Sequence, residues 1–195
     1  MATLRKANAY SKRKVVPYTR KSKRRKKAFV KVVPQSKIVK FTMGDEKMFK
    51  EGKLPYQLTV VSAENVQIRH NALEACRQYV NKKLDKALLG RYLFKILPYP
   101  HHIQRENRML TGAGADRMQT GMQLSFGKSM GRAAIMKPGT RLFFFAVTNE
   151  AAVRIVRKAL KDIKSKLPGD IKVTQENKSQ TRAGKIEKMA IETSE

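Results

Sequence analysis

The sequence predicts an α+β protein: a two-layer α/β sandwich whose mainly antiparallel sheet carries two amphipathic helices on one face, with a basic N-terminal arm and a long central loop. Three observations predict it. Strand-like and helix-like periodicities follow one another as β, β, α, β, long loop, β, β, α, β, which gives two similar halves. Two segments carry an apolar stripe at three- and four-residue steps, so each helix needs a sheet face to cover it. Charge is abundant and uneven. Forty-three Lys and Arg stand against 15 Asp and Glu, a net charge of +28 over 195 residues, yet 41% of the chain is hydrophobic and can build a core.

The first forty residues hold fifteen Lys and Arg, and no acid precedes Asp45. Residues 1–33 therefore read as an extended arm that orders on a polyanion, with a nuclear-localisation signal or a solubilising tail as the plainer alternatives. The folded domain is expected over residues 34–176. Residues 38–41 (Ile-Val-Lys-Phe) read as a short strand stopped by Met43-Gly44-Asp45. Residues 56–61 read as a second, on the alternation of Tyr56, Leu58 and Val60. Ser62 looks like the N-cap of the helix that follows, with Glu64 in its first turn.

That helix carries Leu73, Cys76, Val80, Leu84 and Leu88 on one face and stops at Gly90. Cys76 lies on the stripe and reads as a small core residue. Arg69, His70, Arg77, Lys82 and Lys83 fall on the other faces. A third strand runs from about Arg91 to Leu97, closed by Pro98 and Pro100. No sustained periodicity follows between His101 and Gly121, so a central loop is placed at about 102–121. Loops of that length are commonly functional or simply mobile. Residues 132–136 and 140–148 read as two strands around a Lys137-Pro138-Gly139 turn, the second apolar on both faces and hence central. Thr148 is the expected cap of a helix burying Val153, Val156, Ala159, Leu160, Ile163 and Leu167, stopped by Pro168-Gly169. Residues 171–173 add a short strand, and 177–195 read as a polar, flexible tail. The sheet face away from the helices, and the loop, are left for a partner.

Several functions are excluded by the residues themselves. The longest strongly apolar run, residues 142–147, is far below the ~20 residues of a membrane-spanning helix. Neither a secretory signal nor a lipid-attachment motif is expected at the termini. One cysteine excludes an internal disulfide or a Cys-based zinc cluster, and the adjacent His101 and His102 cannot share a face, so neither metal nor other cofactor is expected. Gly112-Ala113-Gly114 lacks the third glycine and the strand–helix setting of a dinucleotide fingerprint. Gly121 to Ser129 resembles a phosphate-binding loop, but five residues separate its glycines where four are required. The paired histidines suit packing or hydrogen bonding, donation to phosphate, or stacking on a base. In the loop Gln104, Arg105, Asn107, Arg108, Arg117 and Gln119 mix with glycines and methionines, a composition that can fork onto phosphate, stack on bases and approach RNA closely.

Gln67-Ile68-Arg69-His70-Asn71-Ala72-Leu73-Glu74-Ala75, then Tyr99-Pro100-His101-His102 and Arg105-Glu106-Asn107, resemble the L ten-e family of large-subunit ribosomal proteins. This is the archaeal and eukaryotic type of universal large-subunit protein sixteen. Residues 111–117 (Thr-Gly-Ala-Gly-Ala-Asp-Arg), 119–122 and 126–128 extend the match in order, as do 16–20 and 38–41, so that it covers roughly 15–176. The resemblance implies an α/β sandwich with no catalytic role. It implies one copy per large subunit, on the cytoplasmic ribosome, bound to large-subunit rRNA beside the aminoacyl-tRNA site among neighbouring ribosomal proteins. It also implies help in positioning tRNA, with the central loop directed to the peptidyl-transferase centre. Arg105, Arg108, Gly112, Gly114, Arg117 and Gln119 are then the tRNA-proximal loop residues. Candidate rRNA contacts in the folded part are Arg69, His70, His101, His102, Lys128 and Arg132. In the arm, charge alone selects Arg5, Lys6, Lys12, Arg13, Lys14, Arg20, Lys23, Arg24, Arg25, Lys26 and Lys27, with Tyr18 among them. The run from Lys21 to Lys27 and the tail after Glu176 depart from the family pattern.

Overall fold

A computed structural model describes residues 17–19, 30, 32–106 and 127–177, and these form an α+β fold with two antiparallel sheets and three α-helices. In chain order the elements are β1 (Thr42–Gly44), α1 (Glu46–Lys50), β2 (Tyr56–Ser62), β3 (Val66–Arg69), α2 (His70–Leu88), β4 (Tyr92–Ile96), β5 (His102–Glu106), β6 (Lys128–Met136), β7 (Arg141–Val147), α3 (Glu150–Ile163) and β8 (Ile171–Asn177). Five strands pair in the order β1-β4-β7-β2-β8 and three in the order β3-β6-β5.

One core joins both sheets and both long helices. Leu58, Val60, Phe94, Phe143, Phe145 and Val147 of the larger sheet meet Leu73, Cys76, Val80 and Leu84 of α2 and Val153, Val156, Leu160 and Ile163 of α3. Val66, Ile68, Ala134 and Met136 of the smaller sheet belong to the same cluster. At its centre Phe94 pairs across the strands with Phe145, their rings stacked at 4.6 Å and 3° apart, while Phe143 meets Phe94 edge-on at 5.6 Å. Cys76 is fully buried on the α2 stripe, and burial pushes its thiol up to about 12, so it is inert packing.

Several expectations are corrected. The single sheet is two, because the Lys137-Pro138-Gly139 turn passes the chain from β6 in one sheet to β7 in the other. That turn is pinned to the end of β2 by Gly139 N–H to Ser62 O at 2.8 Å and Ser62 N–H to Thr140 O at 2.9 Å. Ser62 caps no helix: its hydroxyl donates to Glu64 O, and strand β3 intervenes before α2 starts at His70. Thr148 is not the cap of α3, whose N-cap is Asn149. The sheet face opposite α2 and α3 is not free. Helix α1 covers part of it, with Met48, Phe49 and Leu54 packed on Leu93, Ala146 and Phe144. Asp45 nucleates α1 by accepting from Lys47 N–H and Met48 N–H. The preceding Gly44 sits at φ +85°, and a side chain there would put Cβ 2.0 Å from Tyr92 O, so no other residue fits.

Residues 38–41 are also not a strand. Their stretch is a strap held largely by side chains, until Phe41 O accepts from Ile96 N–H at 2.8 Å. Pro34 O accepts from Arg132 Nε at 2.6 Å, Lys37 N–H donates to His70 Nδ1 at 3.4 Å, and Val39 N–H donates to Glu74 Oε2 at 3.4 Å. Ile38 is buried beneath it and Val39 is 73% exposed. Part of the expected arm is packed too: Tyr18 and Val30 are buried against Ile103, and Ile103 N–H donates to Tyr18 O at 2.9 Å. The start of the expected loop is strand β5, and the last strand runs on to Asn177.

Candidate nucleic-acid interface

The three-stranded sheet, the start of α2 and the strap bring Lys37, Arg69 and Arg132 together around His70. Helix α2 begins with no side-chain cap and no acid in its first turn, so its positive dipole end is not offset locally. His70 is the first helical residue, only 4% exposed, and Lys37, Arg69 and Arg132 act on it electrostatically. Burial first, and then these three cations, hold His70 down to about 4, so its ring is neutral at physiological pH. Its Nδ1 accepts from the strap, and Nε2 therefore carries the hydrogen. Arg132 donates to Pro34 O and, through its guanidinium, to Tyr99 Oη at 2.9 Å.

Beside Arg132 lies an aromatic shelf. Phe41 and Tyr99 stack at 5.5 Å and 25°, and Tyr99 meets His101 at 4.6 Å. Tyr99 is 42% exposed and His101 is exposed as well. The prolines that end β4 hold this segment out of the ladder, which is why the rings reach the surface. Glu74 stabilises the strap from below. Arg77 grips it at 2.8 and 2.6 Å, Gln78 adds a bond at 3.1 Å, and the Arg77 hydrogen bonds keep its carboxyl below the usual range.

Of the sequence-selected residues, Arg69, His101, Lys128 and Arg132 are exposed or half-buried; Lys128 stands at the start of β6. His70 and His102 are buried, and the structure gives both rings another task. His102 Nδ1 accepts from Tyr18 N–H at 3.0 Å, so the two Nδ1 atoms, of His102 and His70, hold chain segments 84 and 33 residues away. Tyr18 is buried, with the Arg105 guanidinium over its ring at 3.7 Å. Arg5, Lys6, Lys12, Arg13, Lys14, Arg20, Lys23, Arg24, Arg25, Lys26, Lys27, Arg108, Gly112, Gly114, Arg117 and Gln119 lie outside the described residues, as do 107–126 of the loop and the tail after Asn177. Lys37, Lys40 and Tyr99 were not selected from the sequence. Only the Tyr99-Pro100-His101-His102 motif signalled the shelf, and nothing local distinguishes the two lysines.

Of the near-match to a phosphate-binding loop, only residues 127–129 are among the described residues. Lys128 and Ser129 lie in β6 instead of opening a helix, and the Ser129 hydroxyl donates to Val32 O at 3.0 Å. No helix of the described residues is long and apolar enough to cross a membrane.

The titration of His70 predicts a pH effect. The unfolded chain protonates this ring near 6.5 and the folded chain near 4, so the unfolded state binds more protons between those values. Stability is expected to be full above pH 6.5 and to fall by roughly 3 kcal/mol as pH drops towards 4. Urea unfolding at several pH values should show a smaller acid loss in His70→Asn, whose amide oxygen can replace Nδ1. An identical loss in that variant would contradict the assignment.

A basic α+β domain with an exposed aromatic shelf beside cationic side chains has the surface chemistry of a binding protein. Residues 15–174 match the family model described as Ribosomal protein L16p/L10e, and the chain belongs to that family of structural ribosomal proteins. It is 43% identical over 166 residues to the large ribosomal subunit protein uL16 of Staphylothermus marinus, covering 85% of this chain and 89% of that one. The proteins of the same name from Thermoplasma acidophilum and Archaeoglobus fulgidus are each 39% identical. They cover 86% and 87% of this chain and 89% and 92% of their own lengths.

Proposed function

We propose that this protein is a structural constituent of the large ribosomal subunit, one copy per subunit on cytoplasmic ribosomes, that binds large-subunit rRNA next to the aminoacyl-tRNA site. In this reading it helps to position tRNA, with residues 102–121 directed to the peptidyl-transferase centre and Arg105, Arg108, Gly112, Gly114, Arg117 and Gln119 nearest to it. Residues 1–33 contribute a basic RNA-binding arm, anchored where Tyr18 and Val30 pack on Ile103, and the folded domain with its two amphipathic helices runs on to Asn177. Neighbouring ribosomal proteins are its other partners.

The observation that carries the reading is the meeting of Lys37, Arg69 and Arg132 at the uncapped start of α2, next to the exposed rings of Tyr99 and His101. Cations supply salt-dependent attraction to phosphate, and a ring face supplies stacking for an unpaired base. The two contributions separate experimentally. Tyr99→Ala with His101→Ala is expected to weaken binding to a large-subunit rRNA transcript by about ten-fold, since stacking contributes ~1–3 kcal/mol per base, while leaving the salt slope unchanged. Unchanged affinity would remove the shelf from the interface.

A further inference from the structure

On the five-stranded sheet, α3 and the edge strand β8 border an open groove of about 330 Å³ lined by Arg157, Leu160, Lys161, Lys164, Ile171 and Val173. Its floor is apolar and its rim is cationic. Leu160 is buried beneath it, while Val173 on the edge strand is 40% exposed. Arg157 and Lys161 lie one turn apart on α3, about 6 Å along its axis, and Lys164 follows at the C-cap, where the chain tightens into a 3-10 turn. The acids of α3 do not neutralise this row. Glu150 lies 3.7 Å from Arg154, and Asp162 is engaged by Lys83 and the Tyr79 hydroxyl of α2. Lys164 pairs with Asp170 at 2.9 Å, but both are mostly exposed, so the pair opens at little cost. Arg157 donates to Gln175 Oε1 at 2.8 Å, which draws its guanidinium over β8.

We propose that this groove is a second RNA-binding site, which seats one unpaired nucleotide of large-subunit rRNA. Ribose and base lie against Val173 and Ile171, and the flanking phosphates meet Arg157, Lys161 and Lys164. An apolar floor beside a cationic row is the chemistry of a single-stranded nucleic acid, which presents a base face and a charged backbone together. An acidic peptide would use the cations and leave the exposed valine without a role. The site rests on the reading that the chain binds rRNA, but it shares no residue with the interface at the start of α2.

The test uses the full-length protein and a large-subunit rRNA transcript carrying 4-thiouridine. Irradiation is expected to cross-link the peptide that contains Ile171 and Val173, also in the Tyr99→Ala/His101→Ala variant. Arg157→Gln with Lys161→Gln should abolish that cross-link, lower affinity about ten-fold at about 0.15 M salt, and reduce the log–log salt slope by about 1.5. If the double variant keeps both slope and affinity, and the peptide never cross-links, the groove is not a site and the first interface stands. If the wild-type chain fails to bind the transcript at any salt, both readings fall.

Discussion

Replacing Lys37, Lys40 and Lys128 together with glutamine is expected to weaken binding to large-subunit rRNA roughly a hundred-fold at about 0.15 M salt. Each lysine that neutralises a phosphate contributes about 0.7–0.9 to the log–log dependence of affinity on salt, so three contacts contribute about two decades at that concentration. All three side chains are exposed, so their removal should leave the fold intact, which circular dichroism and an unchanged urea midpoint would check. The decisive readout is the slope, expected to fall by ~2 to 3, because a general loss of stability would lower affinity without changing it. A variant whose slope matches the wild type would show that these lysines are merely solvated.

The largest effect on stability is expected from Phe94→Ala. Phe94 is fully buried between the stacked ring of Phe145 and the edge of Phe143, at the point where β4 and β7 pair under α2 and α3. Truncation leaves a cavity that close packing cannot refill, at a cost of about 3–5 kcal/mol. That is a large part of the ~5–15 kcal/mol that holds a domain together. Urea unfolding should show the midpoint falling with little change in slope, and Phe94→Leu should recover part of the loss. A change below ~1 kcal/mol would mean that the aromatic stack is not the centre of the core.

How much of this was readable in the sequence depended on how local the cause was. The α2 stripe from Leu73 to Leu84 and the apolar run of β7 repeat within a few residues, and their burial followed from that spacing. Strand β3 was missed because Val66, Gln67 and Ile68 are all buried and show no alternation, which left Ser62 looking like a helix cap. Strand β5 was missed for a related reason. His-Ile-Gln-Arg-Glu carries a single apolar residue, and its register is set by β6 from across the loop. The division into two sheets depends on where the turn after Met136 docks, which no local pattern encodes.

The site divides in the same way. Positive charge was visible as composition, and the resemblance gave the family. The fates of His70 and His102 were not visible, since each ring is claimed by a backbone N–H far away in sequence. The residues 38–41 read as a strand from their side chains, but Arg132, His70 and Glu74 capture the backbone nearby and make a strap. That strap puts Lys37 beside the start of α2 and Phe41 beneath Tyr99.

A stoichiometric component of the large subunit, held by rRNA, must travel with that subunit. Sedimentation of a cell lysate through a density gradient, with the protein quantified in every fraction at low and high salt, checks this. Co-migration with large subunits and whole ribosomes in near one-to-one proportion, with release as salt is raised, is the predicted result. Migration as a small free species at both salts would contradict it.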